Sequence, residues 1–154
     1  MKMLSRRLFT ATLCLGLAAP VLAEERGTKD EAKAMVDAAW EHLKKVGPEK
    51  AYKDFSTDKA AWTKKDLYVM VLDGKGVMLA HGANEKLIGK DMTGIKDSNG
   101  QPLVPNMLAV ANSKGTGWSD YEWQHPQTKK LEPKSTYVRR APSGDGFVGV
   151  GVYR

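Results

Sequence analysis

The sequence predicts an α+β domain, a five-stranded antiparallel sheet with a long N-terminal helix packed on one face. Three observations predict it. Apolar residues recur at helical spacing early in the chain, the later apolar residues fall into strand-like runs, and short turns join most of those runs. Short turns favour antiparallel neighbours, because a parallel pair needs a long crossover.

Across residues 29–46, Ala32, Met35, Val36, Ala39, Trp40, Leu43 and Val46 alternate with charged residues at a period near 3.6, which predicts one amphipathic helix stopped by Gly47. Pro48 suits the first position of a second, shorter helix burying Ala51, Tyr52 and Phe55. Residues 67–72 and 77–81 flank Asp73-Gly74-Lys75-Gly76 and read as a hairpin. Residues 82–100 are turn-rich. Pro102 and Pro105 fit the first turn of a helix carrying Leu103, Met107 and Val110 on one face, and three strands follow at 117–124, 134–141 and 147–153.

The opening is of another kind. Met1-Lys2-Met3-Leu4-Ser5-Arg6-Arg7 is basic, residues 8–19 are apolar, and Pro20-Val21-Leu22-Ala23 supplies compact residues before Glu24. This pattern predicts a signal peptide over residues 1–23 and a single domain over 24–154, placed in the periplasm. Ser5-Arg6-Arg7-Leu8-Phe9 fits a twin-arginine route as well as the general secretory one. The apolar run is shorter than the ~20 residues a permanent anchor needs. Cys14 is the sole cysteine and falls within the leader, so the expected mature domain relies on its core rather than on disulfides.

The leader holds Lys2, Arg6 and Arg7, so 24 basic residues against 18 acidic become 21 against 18. Charges of both signs alternate through the rest. No nucleic-acid partner is expected from such a surface.

The order of segments resembles the single Cache domains of the second type, extracellular relatives of the PAS fold. The resemblance rests on residues 68–81, from Tyr68-Val69-Met70-Val71-Leu72 to Ala80-His81, on Leu87-Ile88-Gly89-Lys90-Asp91, and on Lys96-Asp97-Ser98-Asn99-Gly100. It continues through Gly117-Trp118-Ser119-Asp120-Tyr121-Glu122-Trp123, Pro133-Lys134-Ser135-Thr136-Tyr137-Val138-Arg139-Arg140 and the closing Val148-Gly149-Val150-Gly151-Val152-Tyr153. It implies a PAS-like sheet with a pocket for a small molecule, often a short carboxylate, in the sensing part of chemoreceptors and histidine kinases. No transmembrane segment or transmitter region is found after the leader. A separate membrane receptor or kinase is therefore the expected partner.

A carboxylate entering a partly dry pocket needs a cation or strong donors. Lys134 opens a strand in the matching segment and is the candidate cation; the alternative is a solvated strand-end lysine. His81 resembles a histidine often found at that place in the family and would donate to a bound acid, or else cap the turn at Gly82. Tyr121 and Trp123 share a strand face and Trp118 takes the other, so the first two are candidate aromatic walls or plain core. Tyr68, Met70, Met107 and Tyr137 are candidates to line the same cavity, with the two methionines shaping its apolar end, although core packing is the favoured reading of either methionine. Arg139 and Arg140 point to opposite faces and are read as surface residues.

Nothing points to catalysis. His42, His81 and His125 are not at metal-ligand spacing, Asp120 and Glu122 form only a solvated pair, and no cofactor or metal is expected. The expected function is binding or sensing of a short organic acid through a partner. Two alternatives stand beside it: a ligand-independent interaction module regulating a membrane kinase or chemoreceptor, and an accessory subunit of a periplasmic redox enzyme.

Overall fold

The computed structural model describes residues 25–154; the expected leader lies outside the described residues. Helix α1 (Lys29–Val46) begins where Thr28 and Glu31 cap each other. Thr28 Oγ1 accepts from the Glu31 amide at 3.2 Å, and the Glu31 carboxylate accepts from the Thr28 amide at 2.9 Å, satisfying two amides that the first turn leaves open. Ala32, Val36, Ala39 and Leu43 form its buried stripe. Gly47, at φ 82°, ends α1, and Pro48 opens α2 (Pro48–Thr57) with its φ already helical and no amide to satisfy.

A single turn, α3 (Lys59–Trp62), leads into the two-residue strand β1 (Thr63–Lys64), then β2 (Leu67–Leu72) and β3 (Met78–His81). Helix α4 (Leu103–Lys114) precedes β4 (Thr116–Gln124), β5 (Leu131–Arg140) and β6 (Phe147–Tyr153). The strands are ordered β1-β2-β6-β5-β4, with β3 also on β2, and every pairing is antiparallel. The five expected strands form, and β1 makes a sixth that is too short to show any periodicity. Strand β5 begins three residues earlier than expected, across Pro133. The Pro133 carbonyl accepts from the Arg154 amide beyond the last β5–β6 pair, Lys134 with Tyr153. An amide at residue 133 would have donated back to the Arg154 carbonyl, so proline forfeits one bond at the very end of the β5–β6 ladder.

The pleat divides the apolar residues between two cores. Val69 and Val71 of β2 and Val148, Val150 and Val152 of β6 pack under α1 and α2. Met70, Leu72, Val138 and Phe147 belong to the opposite core, covered by α4 with Leu103, Val104 and Met107. Here the structure adds to the sequence reading: the long helix lies on one face, and α4 with the turn-rich segment closes the other. That segment is tied down by backbone bonds, Met78 to the Lys90 carbonyl at 3.0 Å and Gly89 to the Met78 carbonyl at 2.8 Å. No helix among the described residues is long and apolar enough to cross a membrane.

Candidate functional site

The α4 side of the sheet encloses a cavity in two parts. The inner chamber, about 30 Å³, is lined by Met70 and Leu72 of β2, Met78 of β3, Met92 and Ile95 of the turn-rich segment, and Leu103, Val104 and Met107 of α4. The outer recess, about 250 Å³, is polar and takes Gln124 from the end of β4 and Asn84, Pro126 and Lys129 from the loops beside it. Tyr68, His81, Leu87 and Trp123 line both. They form the neck between an apolar floor and a wet mouth.

Strand register sets that neck. His81 is paired across from Met70, so its ring falls on the face of Met70 and Tyr68, and its centroid lies 4.9 Å from that of Tyr68. His81 Nδ1 accepts from the amides of Ala83 at 3.2 Å and Asn84 at 2.9 Å. Two donors on Nδ1 assign the proton of the neutral ring to Nε2. Burial, then the charges of Lys134 and Lys59, lower the His81 pKa to about 4, so the imidazole is neutral near pH 7. Its Nε2–H has no acceptor among the described residues.

Behind Tyr68 lies Lys134, only 1% exposed. Its Nζ donates to the Tyr68 hydroxyl at 2.6 Å and to the Tyr153 hydroxyl at 3.3 Å. It lies 4.3 and 4.4 Å from the two ring centroids, where the aromatic quadrupoles favour a cation. Burial lowers its pKa to about 7, and the charge of Asp66 opposes the shift only in part. The Tyr68 hydroxyl accepts from Lys134 and lies within hydrogen-bonding reach of the Tyr153 hydroxyl. Burial raises its pKa well above the phenolic range, so it remains a donor. The lysine stem crosses β6 at Gly151, where a Cβ would overlap Lys134 Cε and come within 2.6 Å of Thr136 Oγ1. Glycine is the residue that leaves room.

This arrangement offers an apolar chamber, two ring-borne donors at its neck and a buried ammonium behind one of them. Such a site can hold a small anion with an organic body. Among the described residues no group of three or more His, Cys, Asp or Glu converges to hold a metal.

Residues 23–154 match the family described as Single Cache domain 2. The chain belongs to that family.

This Cache domain is 30% identical over 88 residues to the methyl-accepting chemotaxis protein McpP of Pseudomonas putida, covering 57% of this chain and 16% of that protein. It is 29% identical over 89 residues to the sensor histidine kinase MctS of Rhizobium johnstonii, covering 58% and 19%. The chain therefore spans less than a fifth of the curated relatives it matches. A solved structure titled "Structural basis for carboxylic acid recognition by a Cache chemosensory domain" superimposes with a TM-score of 0.69 at 26% identity, over 80% of this chain and 91% of that one. The Cache domain is thus a homologue of chemoreceptor and histidine kinase sensor domains.

Of the residues singled out from the sequence, Tyr68, Met70, His81, Met107, Tyr121 and Trp123 line the Cache cavity. Lys134 does not line it but stands behind Tyr68. Tyr137 is a correction. Lys134 and Tyr137 are three apart on β5, an odd interval that sends them to opposite faces, and Tyr137 packs with Trp118 on the α1 side, ring centroids 5.2 Å apart. The Tyr121 hydroxyl is tied to Thr136 Oγ1 at 2.7 Å, leaving its ring as wall. Asp120 is hydrogen-bonded to Ser135 and Glu122 to Ser98. Arg139 binds Asp37 at 2.7 Å, and Arg140 binds the last carbonyls of α4, so neither reaches the cavity.

The sequence reading missed Gln124, the last residue of β4, and Met78, Met92, Asn84 and Lys129, which arrive on loops or a short strand without periodic signal. Tyr153 had one: it pairs with Lys134 and shares its face. It also missed a buried pair, His125 and Asp66, 3.8 Å apart and nearly closed to solvent. The His125 ring packs at a tilt against Tyr153 with ring centroids 4.4 Å apart, extending the polar layer behind the cavity.

Proposed function

We propose that this Cache domain senses a short organic acid, with the carboxylate at the neck between His81 and Tyr68, and passes occupancy to a partner. One observation carries the reading. The rings of His81 and Tyr68, centroids 4.9 Å apart, stand side by side at the mouth of an apolar chamber, each with an N–H or O–H group, and the buried Lys134 lies behind Tyr68. An anion there gains charge-assisted bonds without dragging its water inside. The carboxylic acid recognition named for the similar solved domain supports the class of ligand. A chemoreceptor and a histidine kinase among the relatives support a membrane signalling protein as the partner, and the leader pattern of residues 1–23 supports a periplasmic encounter.

Isothermal titration of C2 to C4 carboxylates into protein refolded free of small molecules tests the proposal. Saturable one-to-one binding, weakened at least tenfold in a His81→Asn, Tyr68→Phe double variant, is the expected result. Absence of binding by the folded wild type to every acid would overturn it.

A further inference from the structure

The sulfur chemistry of the inner chamber is unusual for this chain. The described residues contain five methionines, and four of them, Met70, Met78, Met92 and Met107, line this one chamber. They come from β2, β3, the turn-rich segment and α4, so they close around it from separate elements. The fifth, Met35, packs against the opposite core.

Elsewhere the core uses stiff side chains. The α1 side of the sheet is built on Val69, Val71, Val148, Val150 and Val152, whose branched Cβ restricts them to few rotamers. Methionine is unbranched, has three rotatable side-chain bonds and re-packs at small cost. A chamber of about 30 Å³ has room for roughly one water molecule's share of liquid. Yet four of its lining residues are methionines, the most adaptable of the apolar side chains.

Its chemistry is one-sided as well. Beyond the neck, the lining is aliphatic carbon and thioether, and the Tyr121 hydroxyl at its side is already tied to Thr136. A hydroxyl or second carboxylate pushed into the chamber would find no partner and pay its desolvation in full. A methylene would find contact on every side.

We propose that the methionine chamber is the subsite for the alkyl tail of a linear monocarboxylic acid, and that it widens with the tail, so tail length and not a second polar group sets selectivity. This rests on the carboxylate reading of the neck. The expected ligands are straight-chain acids of three to about six carbons, each added methylene tightening binding about three- to fourfold until the wall can yield no further.

Titration calorimetry with acetate, propionate, butyrate, valerate and hexanoate tests it, with 4-hydroxybutyrate and succinate as polar-ended controls. In the wild type, Kd should fall by about three- to fourfold per methylene as far as valerate, and both controls should bind at least tenfold more weakly than butyrate. With methionine ε-methyls labelled by ¹³C, the resonances of Met70, Met78, Met92 and Met107 should shift progressively with tail length while that of Met35 stays still. In Met70→Ile and Met107→Leu, the ratio of the acetate Kd to the valerate Kd should shrink at least threefold. The wild-type series decides the matter even where a variant folds poorly. Affinity that is flat or falls beyond acetate, or succinate binding as well as butyrate, would overturn the tail subsite and leave the carboxylate reading standing. Binding of no acid at all would overturn both.

Discussion

The ammonium of Lys134 lies 2.6 Å from the hydroxyl of Tyr68 and 4.3 Å from the centre of the same ring, with the ring of Tyr153 on its other side. No carboxylate oxygen among the described residues forms an ion pair with it. Two phenols therefore solvate a charge that a carboxylate would neutralise.

That imbalance separates stability from binding. Replacing a buried, incompletely compensated charge by an apolar residue of similar volume is often neutral or stabilising. Lys134→Met should thus melt at or above the wild-type temperature. Carboxylate affinity should fall roughly tenfold, because the positive charge that acts on the anion from behind Tyr68 is lost. Calorimetric melting and ligand titration on the same sample check both. A variant that is destabilised yet binds normally would reduce Lys134 to a packing residue.

The depressed pKa values give the pH dependence a definite sign. An anion at the neck favours the protonated lysine. Below about 7, Lys134 is charged with or without ligand, so this group leaves affinity level. Above about 7, binding must draw a proton from solvent, and affinity should fall by up to tenfold per pH unit. Potentiometric or calorimetric measurement of proton uptake at pH 8 checks it: uptake of a fraction of a proton per ligand is expected, and zero uptake would exclude the coupling.

His81 acts at the other end of the scale. Its folded pKa of about 4 lies below the unfolded value of 6.5, so between these pH values the unfolded chain binds the extra proton. Stability should therefore fall as pH drops from 6.5 towards 4, by up to roughly 3 kcal/mol. His81→Asn keeps an acceptor for the Ala83 and Asn84 amides but cannot titrate. Urea denaturation of both proteins from pH 7 to 4.5 should give the variant the shallower loss. The shifted carboxylates of Glu31 and Asp54 enter only below their unfolded values near 4.5 and 3.8.

Gly151→Ala places a methyl against both Lys134 Cε and Thr136 Oγ1. The strand is buried on both faces, so the backbone cannot retreat. Overpacking of this kind costs about 1–3 kcal/mol, and the displaced lysine stem should weaken acid binding along with stability. Denaturant midpoints and ligand titration report the two effects. An unchanged melting temperature would show that the stem has another path.

Periodicity made most of this fold legible. Helix α1 was visible in the spacing of Ala32, Val36, Ala39 and Leu43, and β2 and β6 in their unbroken apolar runs, because a buried stripe or strand leaves a local pattern. The turn-rich segment left none. Met92 and Asn84 reach the cavity through bonds such as Gly89 to the Met78 carbonyl, between residues eleven apart, and no local rule encodes that closure. Lys134 was legible as a cation but not as a buried one, because its burial depends on Gly151 of a neighbouring strand and on two phenols far away in sequence. The interval between Lys134 and Tyr137 already assigns them to different sides of the sheet.

That parity supports a contrast between two tyrosines. Tyr121 faces the cavity with its hydroxyl on Thr136, whereas Tyr137 lies under α1 beside Trp118, with Lys33 Nζ 5.6 Å from its ring centroid. Tyr137→Leu gives up ring contacts and part of its buried area on the α1 side and should cost about 1–2 kcal/mol of stability. The residues that set the neck are on the other face of the sheet, so its Kd for any acid should stay within twofold of wild type. Tyr121→Leu removes a cavity wall and strips Thr136 of its partner; it should weaken the longer-tailed acids most. Titration of butyrate into both variants, each first shown to be folded by its melting curve, measures the contrast. Equal losses of affinity would mean that ligand binding is transmitted through the sheet to the α1 side, and that Tyr137 reports occupancy without touching the ligand.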